Sequence, residues 1–474
     1  MSKTILIGID AATWKIITPL LERGELPAIA SLIKEGVSAP LKSLPGYKSP
    51  ALWTSIATGK TPEKNGVLYF SNLFLDIPKL KLKKDVTRNI AVNWPCRVGR
   101  LFSKDQKDPS PLTSFSRKAY VYTMLKYGKL LEKLELGGNY LITSASRTEK
   151  AIWDILSEEG VKVSVIGWLV TWPAEKLNGI MVSQKAIEEL SKYQNQSKFK
   201  VEKGKGSATY PHEIMEELKI FNKTPDSISD AELEIFFNQL GKEETSQIRS
   251  LEFDRKNKLK FFSQLYLIDE FSAKSTVHLR DRYQPDFLTV YLPGLDGVQH
   301  LFWRYHHPEK FPFLKMSKED ISKLGEVVNN YYKFLDAKIA TLIEECETVM
   351  VISDHGMEAI SEKHFDHSAI RSGQHEDSPD GILIMKGPHI KKNVQLKEAH
   401  LLDLAPTILY LLGKDIDINM DGEVLTEALT DEFIKHNQIR KKNYGKKKSA
   451  DHSFYEQEEQ EKVKERLKAL GYLD

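Results

Sequence analysis

The chain has 474 residues, of which 41% are hydrophobic and 28% charged, so its composition is that of a globular protein and excludes wholesale disorder. Lysine and arginine (68) nearly balance aspartate and glutamate (66), and a formal net charge of +2 excludes the basic field typical of proteins that bind nucleic-acid polymers. No apolar run approaches about 18 residues, no signal peptide is evident, and only two cysteines are present, Cys96 and Cys346, so we expect a soluble cytoplasmic protein without a transmembrane segment.

Apolar patterns along the chain predict strands that alternate with helices. The run Thr4–Ile9 predicts a strand, and helical spacing then extends from Ile16 to Gly36. Ser49 as the N-cap and Pro50 as the first helical residue predict a helix that ends at Gly59. The later predicted elements are helices over 151–158 and 401–412 and strands over 161–168, 286–292, 348–353 and 382–385. This alternation predicts an α/β fold, a three-layer α/β/α sandwich around a mostly parallel sheet.

Two polar stretches interrupt the alternation and predict insertions. Residues 76–145 are basic and irregular, and residues 191–280 are rich in lysine and glutamate with a helical pattern. We expect both to form a cap over a catalytic core made of 1–75, 146–190 and 281–430. The tail, 431–474, predicts a basic linker and a C-terminal helix. Its basic run over 440–448 could bind anionic lipid or nucleic acid, although so short a run favours a flexible solvated linker.

Three of the predicted strands are followed by an aspartate, namely Asp10, Asp296 and Asp354. Ligands of parallel α/β sheets bind beyond the carboxyl ends of the strands, so these carboxylates are expected to converge. Taken alone, Asp10 could simply cap the next helix. However, His300 follows Asp296 by one helical turn, and His355 follows Asp354 directly. The combination favours a shared site.

The histidines are concentrated in one part of the chain. Eight of the 13 lie between positions 300 and 389, including His375. Mixed aspartate and histidine ligands suit zinc or manganese, whereas calcium prefers oxygen ligands alone. A single histidine of this kind is more often an ordinary core or surface residue, but the full set predicts a metal site.

Ser49 is the candidate nucleophile. Its hydroxyl is expected at the N-terminus of a helix, where free amides and the helix dipole favour negative charge. A metal ion nearby would lower the pKa of the hydroxyl further. A plain Ser-Pro helix cap is the alternative, and it is the candidate metal ligands that favour the catalytic interpretation.

Seven segments of the chain, among them Gly8-Ile9-Asp10, residues 49–66 and Ser353-Asp354-His355-Gly356, form one pattern. As a set they resemble the alkaline phosphatase superfamily and, within it, the type I phosphodiesterases/nucleotide pyrophosphatases. The resemblance covers most of residues 1–60, 145–185 and 285–425 in the family's order, and does not cover the two insertions. The segments that carry it are Gly8-Ile9-Asp10, residues 49–66 beginning Ser49-Pro50-Ala51, residues 296–303, Ser353-Asp354-His355-Gly356, Gly373-Gln374-His375, residues 379–384 and residues 403–409.

The resemblance implies a hydrolase of small phosphate esters that uses a phosphoserine intermediate on Ser49. It also implies two divalent metal ions, Zn²⁺ in the first place and Mn²⁺ as the alternative, roughly 4 Å apart. One ion would be held by Asp10, Ser49, Asp354 and His355, and the other by Asp296, His300 and His375.

Two positions depart from the family's pattern. Relatives usually carry an asparagine three residues after the nucleophile, where this chain has Leu52, and a histidine where it has Asn65. The preference for nucleotide diesters is therefore open, although neither position is a metal ligand. A phosphotransferase or mutase with the same serine and a metal-binding pseudoenzyme scaffold are the alternative functions.

Overall fold

A computed structural model describes residues 3–75, 137–190, 207–252, 254, 256–366, 370–375 and 379–447. Most of the first predicted insertion, the last residue of the basic run and the predicted C-terminal helix lie outside the described residues. The division into core, cap and tail therefore stays a prediction.

The strands and helices are numbered in chain order within the described residues. The strands are β1 (Thr4–Ile9), β2 (Val37–Lys42), β3 (Ser71–Leu75), β4 (Gly137–Leu141), β5 (Val163–Ile166), β6 (Gly179–Val182), β7 (Thr209–Tyr210), β8 (Phe287–Leu292), β9 (Thr348–Ile352), β10 (Glu358–Ala359), β11 (Gly373–Gln374), β12 (Gly381–Lys386), β13 (Val394–Gln395), β14 (Ala399–His400), β15 (Ile416–Asp417) and β16 (Lys441–Lys442). The α-helices are α1 (Trp14–Glu22), α2 (Pro27–Lys34), α3 (Ser49–Thr58), α4 (Pro62–Asn65), α5 (Ile152–Glu158), α6 (Gln184–Leu190), α7 (Ile214–Leu218), α8 (Asp230–Glu234), α9 (Lys242–Ile248), α10 (Lys258–Tyr283), α11 (Gly294–His306), α12 (Lys318–Leu324), α13 (Val327–Leu342), α14 (Leu404–Leu411) and α15 (Asp431–His436).

A mostly parallel sheet forms the centre of the fold. Its strand order is β13-β2-β12-β9-β1-β8-β5-β6-β7, with β14 also paired to β2. β1 lies between β8 and β9 and is parallel to both, with Ile9 opposite Leu292 and Gly8 opposite Ile352. The carboxyl ends of these three strands are therefore adjacent. β12 runs antiparallel to both of its neighbours, and β7 runs antiparallel to β6.

Helices cover both faces of the sheet. Along β1 the side chains of Ile5, Ile7 and Ile9 join one apolar cluster, which includes α1, α2, α10, α11 and α13. Leu6, which points to the other face, joins a second cluster that includes α3, α5 and α14. Alternate residues of a strand face opposite sides of the sheet, so the chain forms the predicted three-layer α/β/α sandwich.

The predicted elements of the core are confirmed, with two adjustments. The helical pattern from Ile16 to Gly36 forms two helices, because Gly24 takes a left-handed conformation (φ 72°) and Pro27 begins α2. The helix at Ser49 has Lys48 as its N-cap, and Ser49 is its first residue. Its hydroxyl therefore makes no capping bond and is available for other contacts. α3 ends as predicted at Gly59, which has a φ of 63°.

The second predicted insertion contains structure that packs on the sheet. β7 extends the sheet beside β6. The 26-residue helix α10 packs against β8, α11 and α13. Asn257 begins this helix by accepting hydrogen bonds from the backbone N–H groups of Leu259 and Lys260. Within the described residues, no helix combines the length and the apolar character needed to cross a membrane.

The basic run is not a free linker up to residue 447. β16 pairs with β15, and the Lys442 ammonium lies 2.7 Å from a Glu159 carboxylate oxygen. The Tyr444 hydroxyl donates to the same oxygen at 3.0 Å. Lys447 is paired with Glu175, and burial lowers the pKa of its ammonium to about 8. Acidic side chains on the body of the protein thus fix the run, because they neutralise charges that a flexible linker would leave in water.

A buried ion cluster joins distant parts of the chain. The Lys60 ammonium, whose side chain is only 1% exposed, lies 2.6 Å from Glu149 and 2.6 Å from Asp417. Lys60→Ala is expected to lower the free energy of unfolding by about 3–5 kcal/mol, because it leaves Asp417 buried without a cation and Glu149 with only the Lys446 ammonium, 3.9 Å away. Chemical denaturation measures the loss.

The matched control for this prediction is Lys64→Ala. Lys64 also pairs with an aspartate, Asp421, but its side chain is 39% exposed. An exposed pair contributes only about 0–1 kcal/mol. A loss in Lys60→Ala no larger than that in Lys64→Ala would contradict the role given to the buried cluster.

Candidate active site

All seven predicted site residues are buried at the adjacent carboxyl ends of β1, β8 and β9. Each is at most 4% exposed. Asp10 follows β1, Asp354 and His355 follow β9, and Asp296 and His300 lie in the first two turns of α11, which begins just after β8. Ser49 begins α3, and His375 follows β11. The parallel order of the three strands therefore brings residues that are far apart in the sequence to one place.

His355 lies at the centre of one half of the cluster. Its Nε2 is 3.3 Å from the Ser49 hydroxyl oxygen, 3.3 Å from an Asp10 carboxylate oxygen and 3.5 Å from an Asp354 carboxylate oxygen. Its ring stacks on that of His375, with centroids 4.0 Å apart. The candidate nucleophile thus lies directly against candidate metal ligands.

Asp296 lies at the centre of the other half. One of its carboxylate oxygens is 3.3 Å from Nε2 of His300 and 3.9 Å from Nε2 of His375. The potential ligand atoms of Asp10, Asp354 and His355 lie within 4.8 Å of one another, and so do those of Asp296, His355 and His375. The structure therefore contains two groups of donors that could each hold a metal ion, and His355 belongs to both.

Several carboxylate oxygens of the site lack hydrogen-bond donors among the described residues, as expected of oxygens that bind a cation. Both carboxylate oxygens of Asp354 and Oδ1 of Asp10 are buried and accept no hydrogen bond from any described residue. A buried carboxylate without a partner is costly. Divalent ions would satisfy these oxygens, and mixed carboxylate and imidazole donors are the ligands that zinc and manganese accept. The donor set thus fits such ions.

Backbone carbonyls orient two of the imidazoles. Nδ1 of His300 lies 2.6 Å from the carbonyl oxygen of Gly373, and Nδ1 of His355 lies 3.0 Å from that of Gly356. A ring that donates from Nδ1 keeps Nε2 unprotonated in its neutral form, which is the form that binds a metal. Both Nε2 atoms are the ones that face the aspartates.

The loop that carries His375 is held by α11. Arg304 donates to the carbonyl oxygens of Ile370 and Arg371 at 2.7 and 3.2 Å. The backbone N–H of Ser372 donates to the carbonyl of His300 at 2.7 Å. One helix therefore positions His375 in addition to carrying Asp296 and His300.

Tyr291 is a site residue that the sequence analysis missed. Its hydroxyl donates to Oδ2 of Asp10, which leaves Oδ1 directed at His355. The Tyr291 ring lies against Trp53, with centroids 4.9 Å apart, and Trp53 lies against Trp168 at 5.0 Å. A β-carbon on Gly8 would come within 2.5 Å of the Trp53 ring, so this packing requires glycine there. A tyrosine hydroxyl in β8, where Thr289 is the other polar side chain, was the available signal.

Leu52 and Asn65, the two residues that depart from the family's pattern, both make contacts that stabilise the fold. Leu52 is 1% exposed and packs in the apolar cluster around α3. The Asn65 amide donates to Ser55 and to the carbonyl of Lys60, each at 3.1 Å, and its oxygen accepts from the N–H of Val67. Asn65 therefore stabilises the turn that follows α3.

Burial shifts the pKa values of Asp10, Asp354, His355 and His375 in the metal-free protein. Burial, together with the charge of Asp296, raises the pKa of Asp10 to about 8. Burial and the neighbouring Asp10 raise the pKa of Asp354 well above its usual value. Burial lowers the pKa of His355 to about 4 and that of His375 well below its usual value. At neutral pH the metal-free protein therefore favours the neutral forms of Asp10, His355 and His375.

These shifts predict a falling stability of the metal-free protein between pH 6.5 and about 8. The histidine contributions are complete above the ordinary histidine pKa of 6.5. The Asp10 carboxyl, raised from 3.8 to about 8, holds a proton in the folded state that the unfolded chain has lost, so its contribution disappears as the pH rises through about 8. Denaturation of chelator-treated protein across this range measures the slope.

Asp10→Asn is the control for this pH dependence, since it cannot ionise. The variant is expected to show a shallower fall in stability than the parent. Equal slopes in the two proteins would contradict the assignment of the effect to Asp10.

The chain matches a protein-family model and is similar to solved structures. The family model for type I phosphodiesterase/nucleotide pyrophosphatase matches residues 4–469. Similar solved structures include murine ectonucleotide pyrophosphatase/phosphodiesterase 5, an inactive variant in complex with AMP (12% identity, 91% of this chain and 100% of that chain covered, TM-score 0.46). The human ectonucleotide pyrophosphatase/phosphodiesterase 5 is similar too (12% identity, 90% and 100% covered, TM-score 0.45). No curated protein matches the sequence.

Proposed function

Because the chain belongs to the type I phosphodiesterase/nucleotide pyrophosphatase family and is thus a phosphoester hydrolase, we propose that it cleaves small phosphate esters by a covalent mechanism at Ser49. The observation that carries the proposal is the 3.3 Å contact between the Ser49 hydroxyl and His355, inside a buried cluster of carboxylates and imidazoles. A serine placed there purely for packing or helix capping would have no reason to face metal-type donors.

The proposed cofactors are two divalent ions, Zn²⁺ or Mn²⁺. One would be held by Asp10, Ser49, Asp354 and His355, and the other by Asp296, His300 and His375. Such ions supply Lewis acidity toward phosphoryl oxygens and lower the pKa of a coordinated hydroxyl.

Charge balance supports an anionic substrate. The cluster contains three carboxylates, Asp10, Asp296 and Asp354, and three imidazoles, which are neutral when they bind a metal ion. With Ser49 as a neutral hydroxyl, three negative charges against two dications would leave one net positive charge in a buried site, where it would be poorly screened. A phosphate ester anion compensates that charge, whereas a neutral ester does not.

The reaction is proposed to proceed in two displacements. The Ser49 oxygen attacks phosphorus as its hydroxyl proton passes to solvent, the bond from phosphorus to the ester oxygen breaks, and the departing alkoxide takes up a proton from solvent to leave as the alcohol. Water then attacks the phosphorus of phosphoserine, the bond to the serine oxygen breaks, and Ser49 regains its hydroxyl. Leu52 offers no amide at the position where relatives carry asparagine, so we propose a small phosphodiester substrate without commitment to a nucleotide.

A substrate panel tests this function. Full-length protein loaded with zinc or manganese is assayed on nitrophenyl phosphate, bis-nitrophenyl phosphate, a nitrophenyl phosphonate ester and nitrophenyl sulfate. We expect turnover of one or more phosphorus esters, with the diester preferred, and none of the sulfate. Protein that holds two metals per chain and cleaves no phosphorus ester would overturn the proposal. An added acceptor alcohol separates hydrolysis from phosphotransfer through the products formed.

A further inference from the structure

The segment that follows Asp10 is tied to three different parts of the fold. The carbonyl of Ala11 accepts a hydrogen bond from Nε2 of Gln299 at 2.8 Å. The N–H of Ala12 donates to the Ser353 hydroxyl at 2.9 Å, and the N–H of Thr13 donates to the Tyr332 hydroxyl at 3.0 Å. Three consecutive residues are thus bonded to α11, to the end of β9 and to α13.

Two of these ties form one closed chain of hydrogen bonds. Tyr332, which accepts from Thr13, donates to Oε1 of Gln299 at 3.2 Å. Gln299 in turn donates from Nε2 to Ala11. Both side chains are buried, Gln299 completely. The amide orientation follows from its partners, since only the nitrogen can donate to a carbonyl.

The backbone at the junction is strained. Ala11 has a φ of 62°, in the left-handed region that residues with a β-carbon seldom adopt. Such a conformation persists only where the surroundings hold it, and it often occurs at functional sites. The Gln299 amide is one group that holds it, one residue after Asp10.

The chain of bonds connects the two halves of the site. Gln299 is on α11, between Asp296 and His300, which belong to one proposed ion, whereas Ala11 follows Asp10, which belongs to the other. We propose that Gln299, oriented by Tyr332, is a positioning residue that sets the separation of the two metal half-sites. The inference rests on the two-ion site of the proposed function. Gln299 is no ligand itself, because its amide atoms are engaged by Ala11 and Tyr332.

Manganese provides a direct test. Metal-stripped, full-length protein is loaded with two equivalents of Mn²⁺, and electron paramagnetic resonance reports whether the ions are exchange-coupled, which depends on their separation. Gln299→Met preserves the volume and removes both hydrogen bonds. We expect loss of the coupled spectrum in favour of isolated ions and about 10–100-fold weaker binding of one ion. Unchanged spectra and affinities would overturn the proposal.

Tyr332→Phe is the second variant, and it keeps the ring in place. It leaves the bond from Gln299 to Ala11 but removes the bond from Thr13, so we expect a smaller loss of coupling. The losses in the double variant should be less than additive, because both groups act through one chain. Fully additive losses would contradict that chain. If Gln299→Met does not fold, an unchanged coupled spectrum in Tyr332→Phe overturns the proposal.

Tyr410→Phe is the matched control. Tyr410 is buried to a similar degree and donates to the carbonyl of Asn437 at 2.5 Å, on a helix that carries no proposed ligand. Its removal is expected to leave the coupled spectrum unchanged. Parent protein that binds no coupled pair would overturn the positioning inference. A coupled pair that depends on Gln299 in a protein that cleaves no phosphorus ester would instead support the inference and reject the proposed function.

Discussion

Ser49→Ala is expected to lower the turnover of the best phosphate ester by at least ~1000-fold, with both metal ions retained. The substitution removes the nucleophile but leaves Asp10, Asp354 and His355 in the same half-site, so the electrostatic part of the site survives. A residual rate is expected because the site still positions the substrate and stabilises the charge of the transition state after the nucleophile is removed. Steady-state kinetics, with elemental analysis of the same samples, provides the measurement.

Two companion variants and a trapping experiment sharpen this prediction. Ser49→Thr should keep more activity than Ser49→Ala because a hydroxyl remains. Ser55→Ala is the matched control, since Ser55 is a fully buried serine of the same helix that contacts Asn65 and no proposed ligand. Mass spectrometry after an acid quench should find phosphate on Ser49 in the parent. Parent-like turnover by Ser49→Ala would mean that water attacks directly.

Asp354→Asn is expected to have opposite effects on stability with and without metal. With metal present, the affinity of the variant for at least one of the two ions should fall by more than about 100-fold. The variant should therefore lose most of the stabilisation that metal confers on the folded state. In the metal-free protein it should be as stable as the parent or more stable above pH 6.5, because the Asp354 carboxylate is buried beside Asp10 and accepts no hydrogen bond from described residues. Thermal unfolding with and without Zn²⁺ shows both effects.

Asp336→Asn is the control that shows how much stability is lost when a buried aspartate without a proposed metal-binding role is replaced. Asp336 is 3% exposed and accepts hydrogen bonds from the N–H groups of Ala28 and Ile29, at the start of α2. Its replacement should lower stability equally with and without metal. Asp354→Asn that behaves like Asp336→Asn would refute a ligand role for Asp354.

The convergence of the site could be predicted because it depends on local signals. Each of Asp10, Asp296 and Asp354 follows a recognisable apolar strand, and parallel strands present their carboxyl ends at one edge. The fold class follows from the same alternation. The side chains that orient the ligands could not be found in this way. Tyr291, Gln299 and Ser353 act on residues hundreds of positions away, and their contacts depend on the strand order.

The second insertion shows a different limit of sequence reasoning. Its polar composition predicts a cap, but does not reveal that α10 within it buries Phe261, Leu265 and Ile268 against the body of the protein. The basic run was likewise ambiguous, because the carboxylates that neutralise it, Glu159 and Glu175, belong to distant segments. The charges along a basic segment do not reveal whether acidic side chains from another part of the fold pair with them.

The central place of β1 determines when the protein can fold during its synthesis. Thr4–Ile9 leaves the ribosome long before its two partners, because β8 and β9 begin only at Phe287 and Thr348. Until then an apolar, β-branched segment has no strand to pair with, and contacts this distant in sequence form slowly. Nascent chains with such unpaired strands are prone to aggregate. We therefore expect newly made protein to depend on chaperones until β9 is complete, after which Asp10 meets both of its neighbouring aspartates.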